Sequence, residues 1–406
     1  SRKMFKATAK DSLADNNLFI IGIFFVVIFA ACLYLHFPLG YNQSLYHYQG
    51  LVLLDGGLPY LDFVEKKGPM GLLGYGLAAV LFGPDPMAYR FFDLTVQGGI
   101  FALLFLVINR RSSRWISLLV PSLWFIHGLL DGPGNTADVT NLITLCLVFS
   151  YYLITGKLNP HTFLKVGVLM GLACWVKPTA IIMFAPVLYL AYLSKKDGEI
   201  KNYIGASVKL LTGAALGSVT FLAYLMISKS FIGFWETVVL DPLLNYIEDS
   251  KRLSIGTIEK VGTAFLIGPI LRLLGLLGLL LFFKDKLTHV AALFFAAISI
   301  SIFIECRFFP YHFSPLWPFA SIGLASLILH WRNKFSVSFI NKGILTSIAC
   351  SVILIIPLLP TIARFYKTDF EPFGEFNQGK LFKLSAFTDM YEARKGLVKH
   401  LNNHLK

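Results

Sequence analysis

From Leu18 to His36 the chain runs without an Asp, Glu, Lys or Arg, and comparable apolar runs recur along most of its length. About 17–25 such residues wound into a helix cross the hydrocarbon layer, where every backbone N–H and C=O must find its partner within the segment. Repetition of that feature dictates an all-α polytopic integral membrane protein before any motif is considered. Composition agrees, with 56% hydrophobic and 15% charged residues among 406, against roughly a quarter charged in soluble domains. A single soluble core, a disordered chain, a disulfide scaffold and a nucleic-acid-binding domain are poor fits. No nucleic-acid partner is expected.

Spans are read at about 18–36, 89–108, 115–130, 139–155, 164–176, 179–193, 203–228, 261–283, 288–304, 313–330 and 343–363, eleven in all. The first is too long for a signal-peptide core and lacks a small-residue cleavage site, so it stays as a transmembrane helix. Met70 to Gly83 is apolar but short, which suits an interfacial helix. Asn42 to Leu54 reads as a second surface helix, ended by Gly56-Gly57. Segments assigned to the cytoplasm hold seventeen Lys and Arg against eight in the longer outer segments before the tail, which places the N-terminus inside. Most of the formal charge of +13 is therefore topology. The expected organisation is a transmembrane module over 1–364, with outer loops 37–88 and 229–260, and an outer tail over 365–406 containing an amphipathic helix. A bacterial inner membrane with a periplasmic functional face is the expected setting. The five cysteines are odd in number and lack metal-ligand spacing, so they read as small hydrophobes.

The chemistry-bearing residues collect on the outer face. Loop 37–88 supplies Asp55, Asp62, Glu65, Lys66 and Lys67. The segment after the third span supplies Asn135, Thr136 and Asp138, a hairpin supplies Lys177-Pro178, and later come Tyr246, Arg307, Tyr311 and His312. Carboxylates beside cations at a lipid boundary suit a phosphate-bearing substrate with a reactive hydroxyl. The cations hold phosphate and a carboxylate accepts the proton. Blander roles compete: Asp62 as a helix cap, Asp55 in a turn, Lys177 as a snorkelling lysine, Arg307 with His312 as interfacial anchors, and Arg90 paired to a loop carboxylate. Arg272 lies inside a span, where a charge is a functional candidate by default.

Tyr41 to Pro69, YNQSLYHYQGLVLLDGGLPYLDFVEKKGP, resembles the first outer loop of GT-C glycosyltransferases of the protein-mannosyltransferase and aminoarabinose-transferase kind. Phe82-Gly83 with Arg90, Gly134-Asn135-Thr136 with Asp138, Gly171–Thr179 (GLACWVKPT) and Arg307–Pro318 (RFFPYHFSPLWP) follow in the family's order. The resemblance implies a GT-C-type fold and transfer of a sugar from a polyprenyl-phosphate donor to a glycan, lipid or protein acceptor. On it, Asp62, Asn42 and Asp55 are the candidate catalytic positions. Lys177, Arg307, His312, Tyr311 and Arg90 would hold the phosphate, and Gln43, Glu65, Lys67, Asp138, Asn135 and Tyr246 the acceptor or sugar. One departure matters: Asn42 and Gln43 stand where the family carries an acidic residue followed by Glu or Gln. An amide hydrogen-bonds a hydroxyl but takes no proton near neutral pH. Three readings follow: Asn42 replaces an aspartate, Asp62 or Asp55 acts instead, or the chain is inactive or uses different chemistry. No metal site is argued by spacing, although a divalent cation, magnesium or manganese, is compatible with the chemistry. A lipid-linked glycan flippase, which requires a polar path across the midplane, and a polysaccharide polymerase or ligase are the alternative functions.

Overall fold

The computed structural model describes residues 13–37, 39, 41–130, 136–156, 158–196, 203–244, 270–305 and 310–334. Asn135, Tyr246 and Arg307, the span at 343–363 and the tail lie outside these. The described residues form helices and turns, with a lone bridge between Pro59 and Phe63.

Helix α1 (Leu13–Leu35) is followed by α2 (Tyr41–Leu54) and α3 (Pro69–Phe82). These last two are the short helices expected in the first loop. Gly56, at φ 83°, and the bond from Gly57 N to Val52 O at 2.8 Å close α2. Helix α4 (Pro86–Asn109) starts three residues before the sequence boundary. Pro86 is pre-set for a first helical turn, and Asp85 Oδ1 accepts from Met87 N at 2.7 Å. Then come α5 (Arg114–Leu130), α6 (Thr140–Ile154) and α7 (Pro160–Val176), a 3-10 turn (Pro178–Met183), α8 (Phe184–Lys196) and α9 (Tyr203–Ile227). A short helix α10 (Phe231–Phe234) runs into a π-helical stretch (Trp235–Leu240). The last elements are α11 (Ile270–Leu281), α12 (Lys286–Glu305), a second 3-10 turn (Pro310–Leu316) and α13 (Trp317–Lys334).

Four of these segments are long and apolar enough to cross a membrane: 86–109, 203–227, 286–305 and 311–332. Shorter apolar helices, including 140–154 and 160–176, pack among them. Lipid tails supply no hydrophobic drive between helices, so close packing must hold them. Helices α7 and α9 show how. A Cβ on Gly167 would fall 2.0 Å from Leu210 O, and one on Gly213 would fall 2.1 Å from Leu164 O. The two backbones touch only because both positions are glycine.

The ends of the bundle differ. At one end Arg111 pairs with Asp285, and Arg110 lies 4.2 Å from the Tyr152 ring centroid. At the other, α12 delivers Glu305 to Lys177. The 20 residues of α12 separate these ends by about 30 Å.

Candidate functional site

The site begins with a proline. Pro178 cannot continue α7, so Lys177 is extended, at φ −153° and ψ 119°. Its ammonium leaves the helix and pairs with Glu305, whose side chain is 2% exposed. Glu305 Oε1 accepts from Thr179 Oγ1 at 2.6 Å, and His312 Nδ1 lies 3.7 Å from Oε2. Burial lowers the Lys177 ammonium to about 8; Glu305 pulls the other way and Lys67 adds to the lowering.

The first loop docks on the same hairpin. Gly68 N donates to Val176 O at 2.9 Å. A Cβ on Gly68 would lie 1.9 Å from Trp175 O. Gly68→Ala is therefore expected to destabilise the protein by about 3 kcal/mol or more, and thermal unfolding of the purified protein checks this. Just before this glycine, Glu65 is buried and accepts from Gln49 Nε2 at 2.9 Å, Lys66 N at 2.7 Å and Lys67 N at 3.1 Å. Burial raises its pKa against the pull of these donors and of Lys67. Tyr60, at φ 68°, donates from its hydroxyl to Lys67 O at 2.6 Å. Lys67 Nζ lies 6.0 Å from the Tyr311 ring centroid, while Lys66 turns away to Asp241 at 2.7 Å.

Asp138 closes the cluster from the turn before α6. Ala137, at φ 54°, has its carbonyl held by the Tyr89 hydroxyl at 2.6 Å. The turn aims Asp138 inward, 3% exposed. Oδ1 accepts from Thr140 N at 3.0 Å; Oδ2 is buried with no hydrogen-bond partner among the described residues. Tyr46, stacked on Tyr75 at 4.9 Å, feels both Asp138 and Glu65: burial and these two carboxylates raise its pKa. Lys177 feels Asp138 as well.

Glu65, Lys67, Asp138, Lys177, Tyr311 and His312 thus come together. Asp55 and Asp62 do not. Both are exposed, and Asp62 Oδ2 accepts from Leu58 N at 2.7 Å, the turn-capping role. Asn42 is half-buried in the first turn of α2. Its neighbour Gln43 is fully buried and donates to Thr136 O at 2.5 Å. Arg90 is buried against Phe37 O at 3.2 Å and Thr136 Oγ1 at 2.8 Å, joining α4 to the segments before α2 and α6. Asn135, Tyr246 and Arg307 are outside the described residues. Among the described residues no group of three or more His, Cys, Asp or Glu side chains is placed to hold a metal ion.

Two buried acids escaped the sequence reading. Glu305 ends an apolar run and reads as a span boundary; its signal was a carboxylate at the depth of Lys177. Asp93 sits inside α4, taking hydrogen bonds from the Tyr34 hydroxyl and from Asn141 Nδ2, the latter at 2.7 Å. A charge within a span was its signal.

No family model matches the chain. In sequence it is similar to GPI alpha-1,2-mannosyltransferase 3 of Mus musculus, 25% identical over 158 residues, a stretch covering 39% of this chain and 27% of that protein. Among solved structures it is similar to ArnT from Cupriavidus metallidurans, crystallised bound to undecaprenyl phosphate, with a TM-score of 0.48 and 12% identity over 78% of this chain and 60% of that one. The matches span less than two thirds of either protein's length. The described residues form the helical, span-forming architecture that the apolar runs predict.

Proposed function

We propose that the chain is a membrane glycosyltransferase that moves a sugar from a polyprenyl-phosphate donor to an acceptor hydroxyl at the outer face. The observation that carries this reading is the cluster at one end of the bundle in which Lys177, paired with the buried Glu305, lies within the electrostatic reach of both Lys67 and Asp138. The acceptor oxygen attacks the anomeric carbon and the bond from that carbon to the phosphate oxygen breaks. The proton passes to Asp138 Oδ2, which is buried and has no hydrogen-bond partner among the described residues. Polyprenyl phosphate leaves with the electron pair. Lys177 and Lys67 face the charge that builds on it, in a region where water screens little. Glu305 keeps the buried ammonium protonated before the donor arrives and fixes its direction. Glu65 holds the backbone of Lys66 and Lys67 in place. A direct displacement of this kind inverts the anomeric centre.

The test is transfer from labelled polyprenyl-phosphate sugars by the full chain in liposomes, with donor binding measured in parallel. Saturable donor binding and an inverted product are expected. Failure to bind any polyprenyl phosphate would overturn the reading. Movement of lipid-linked glycan across the bilayer without transfer would favour a flippase.

A pH dependence follows from Lys177. Its cationic form is present below about 8 and is lost as pH rises through that value. Donor affinity is therefore expected to fall between pH 7 and pH 9. Lys177→Arg, which stays charged throughout, flattens the profile; an unchanged profile in that variant assigns the ionisation to another group.

A further inference from the structure

A cavity of about 60 Å³, with a largely apolar wall into which a few polar side chains reach, lies among α1, α4, α5, α6, α11 and α13. It is roomy enough for a few waters or one small polyatomic ion. No side chain of the Lys177 cluster lines it. The contact between α6 and the second 3-10 turn, Thr140 Oγ1 to Ser314 Oγ at 3.2 Å, stands beside it.

Two of its lining residues have no place in the proposed transfer. His127 is 6% exposed, and neither ring nitrogen has a hydrogen-bond partner among the described residues. Buried polar atoms are nearly always satisfied, so two unsatisfied nitrogens on one ring point to an occupant of the cavity. Arg272 is 9% exposed, and its guanidinium lies 4.3 Å from the Trp317 ring centroid. The ring holds a cation whose forked donors match phosphate oxygens. The remaining polar lining is neutral amide and hydroxyl, including Asn141 and Ser321; no carboxylate lines the cavity among the described residues.

We propose that this cavity is a second anion site, taking a phosphate oxyanion on Arg272 and His127, either as free phosphate or as a phospholipid headgroup. It is independent of the donor site. The probes are inorganic phosphate, titrated calorimetrically into the full chain in phosphatidylcholine nanodiscs, and phosphatidylglycerol, read as retention by native mass spectrometry.

Arg272→Gln and His127→Phe are expected to weaken one of the two probes at least tenfold. Lys177→Met with Glu305→Gln should leave that binding unchanged. His127→Gln, which retains a hydrogen-bond donor at similar reach, should lose less than His127→Phe. Ser321→Leu fills the cavity without removing a charge and keeps the test usable where Arg272→Gln fails to fold. Loss for free phosphate identifies a soluble ligand, and loss for phosphatidylglycerol alone identifies a lipid. Binding of both probes undiminished in His127→Phe and Ser321→Leu, or lost only with the Lys177 change, would overturn the proposal and leave a water-filled cavity.

Discussion

Asp138→Asn is expected to lower sugar transfer about 10²- to 10⁴-fold, the usual range for losing a positioned proton acceptor. The change is nearly isosteric. Asparagine Oδ1 can keep the bond from Thr140 N that aims the side chain, so the turn at Ala137 should survive. What disappears is the capacity of Oδ2 to take a proton. Asp62→Asn should change transfer by no more than a few-fold, because Asp62 is exposed and its observed bond to Leu58 N needs only an acceptor oxygen. Single-turnover transfer with labelled donor compares the two variants. A large loss in Asp62→Asn with none in Asp138→Asn returns the base to the first loop. A comparable gain in Asn42→Asp assigns it to position 42.

Lys177→Met is expected to abolish donor binding and also to destabilise the fold by about 3–5 kcal/mol, the cost of leaving a buried carboxylate without its cation. Glu305 is 2% exposed, and among the described residues Thr179 and His312 are the polar partners that remain beside it. Lys177→Met combined with Glu305→Gln removes both charges. It should regain most of the stability, because neither charge is then stranded, while donor binding stays lost. Unfolding of the single and double variants gives the coupling, and donor titration gives the function. Restored donor binding in the double variant would show that the lysine serves the fold alone.

The membrane class, the order of most helices and the two short helices of the first loop were legible in sequence. Length and apolar character are properties of a segment in isolation, and hydrocarbon admits few other solutions. Helix ends were less legible. Asp85-Pro86 starts α4 earlier than the hydropathy suggested, because capping chemistry sets the boundary and hydropathy does not. Lys177 was visible through Pro178, which forces a turn wherever it sits.

The distribution of roles among the acids was not legible. Asp62 and Asp138 look alike in the chain, yet one caps an exposed turn and the other is buried with an oxygen that has no hydrogen-bond partner among the described residues. Glu305 and Lys177 are 128 residues apart, and no local pattern links them. The runs of apolar residues determined by themselves that this chain is a helical membrane protein, because the bilayer acts on each segment separately. Which carboxylate meets which cation depended on glycine-mediated backbone contacts, Gly68 on Trp175 and Gly167 on Leu210, that bring distant segments within reach. Charge pairing is decided by distance in space, and only the tertiary structure supplies that distance.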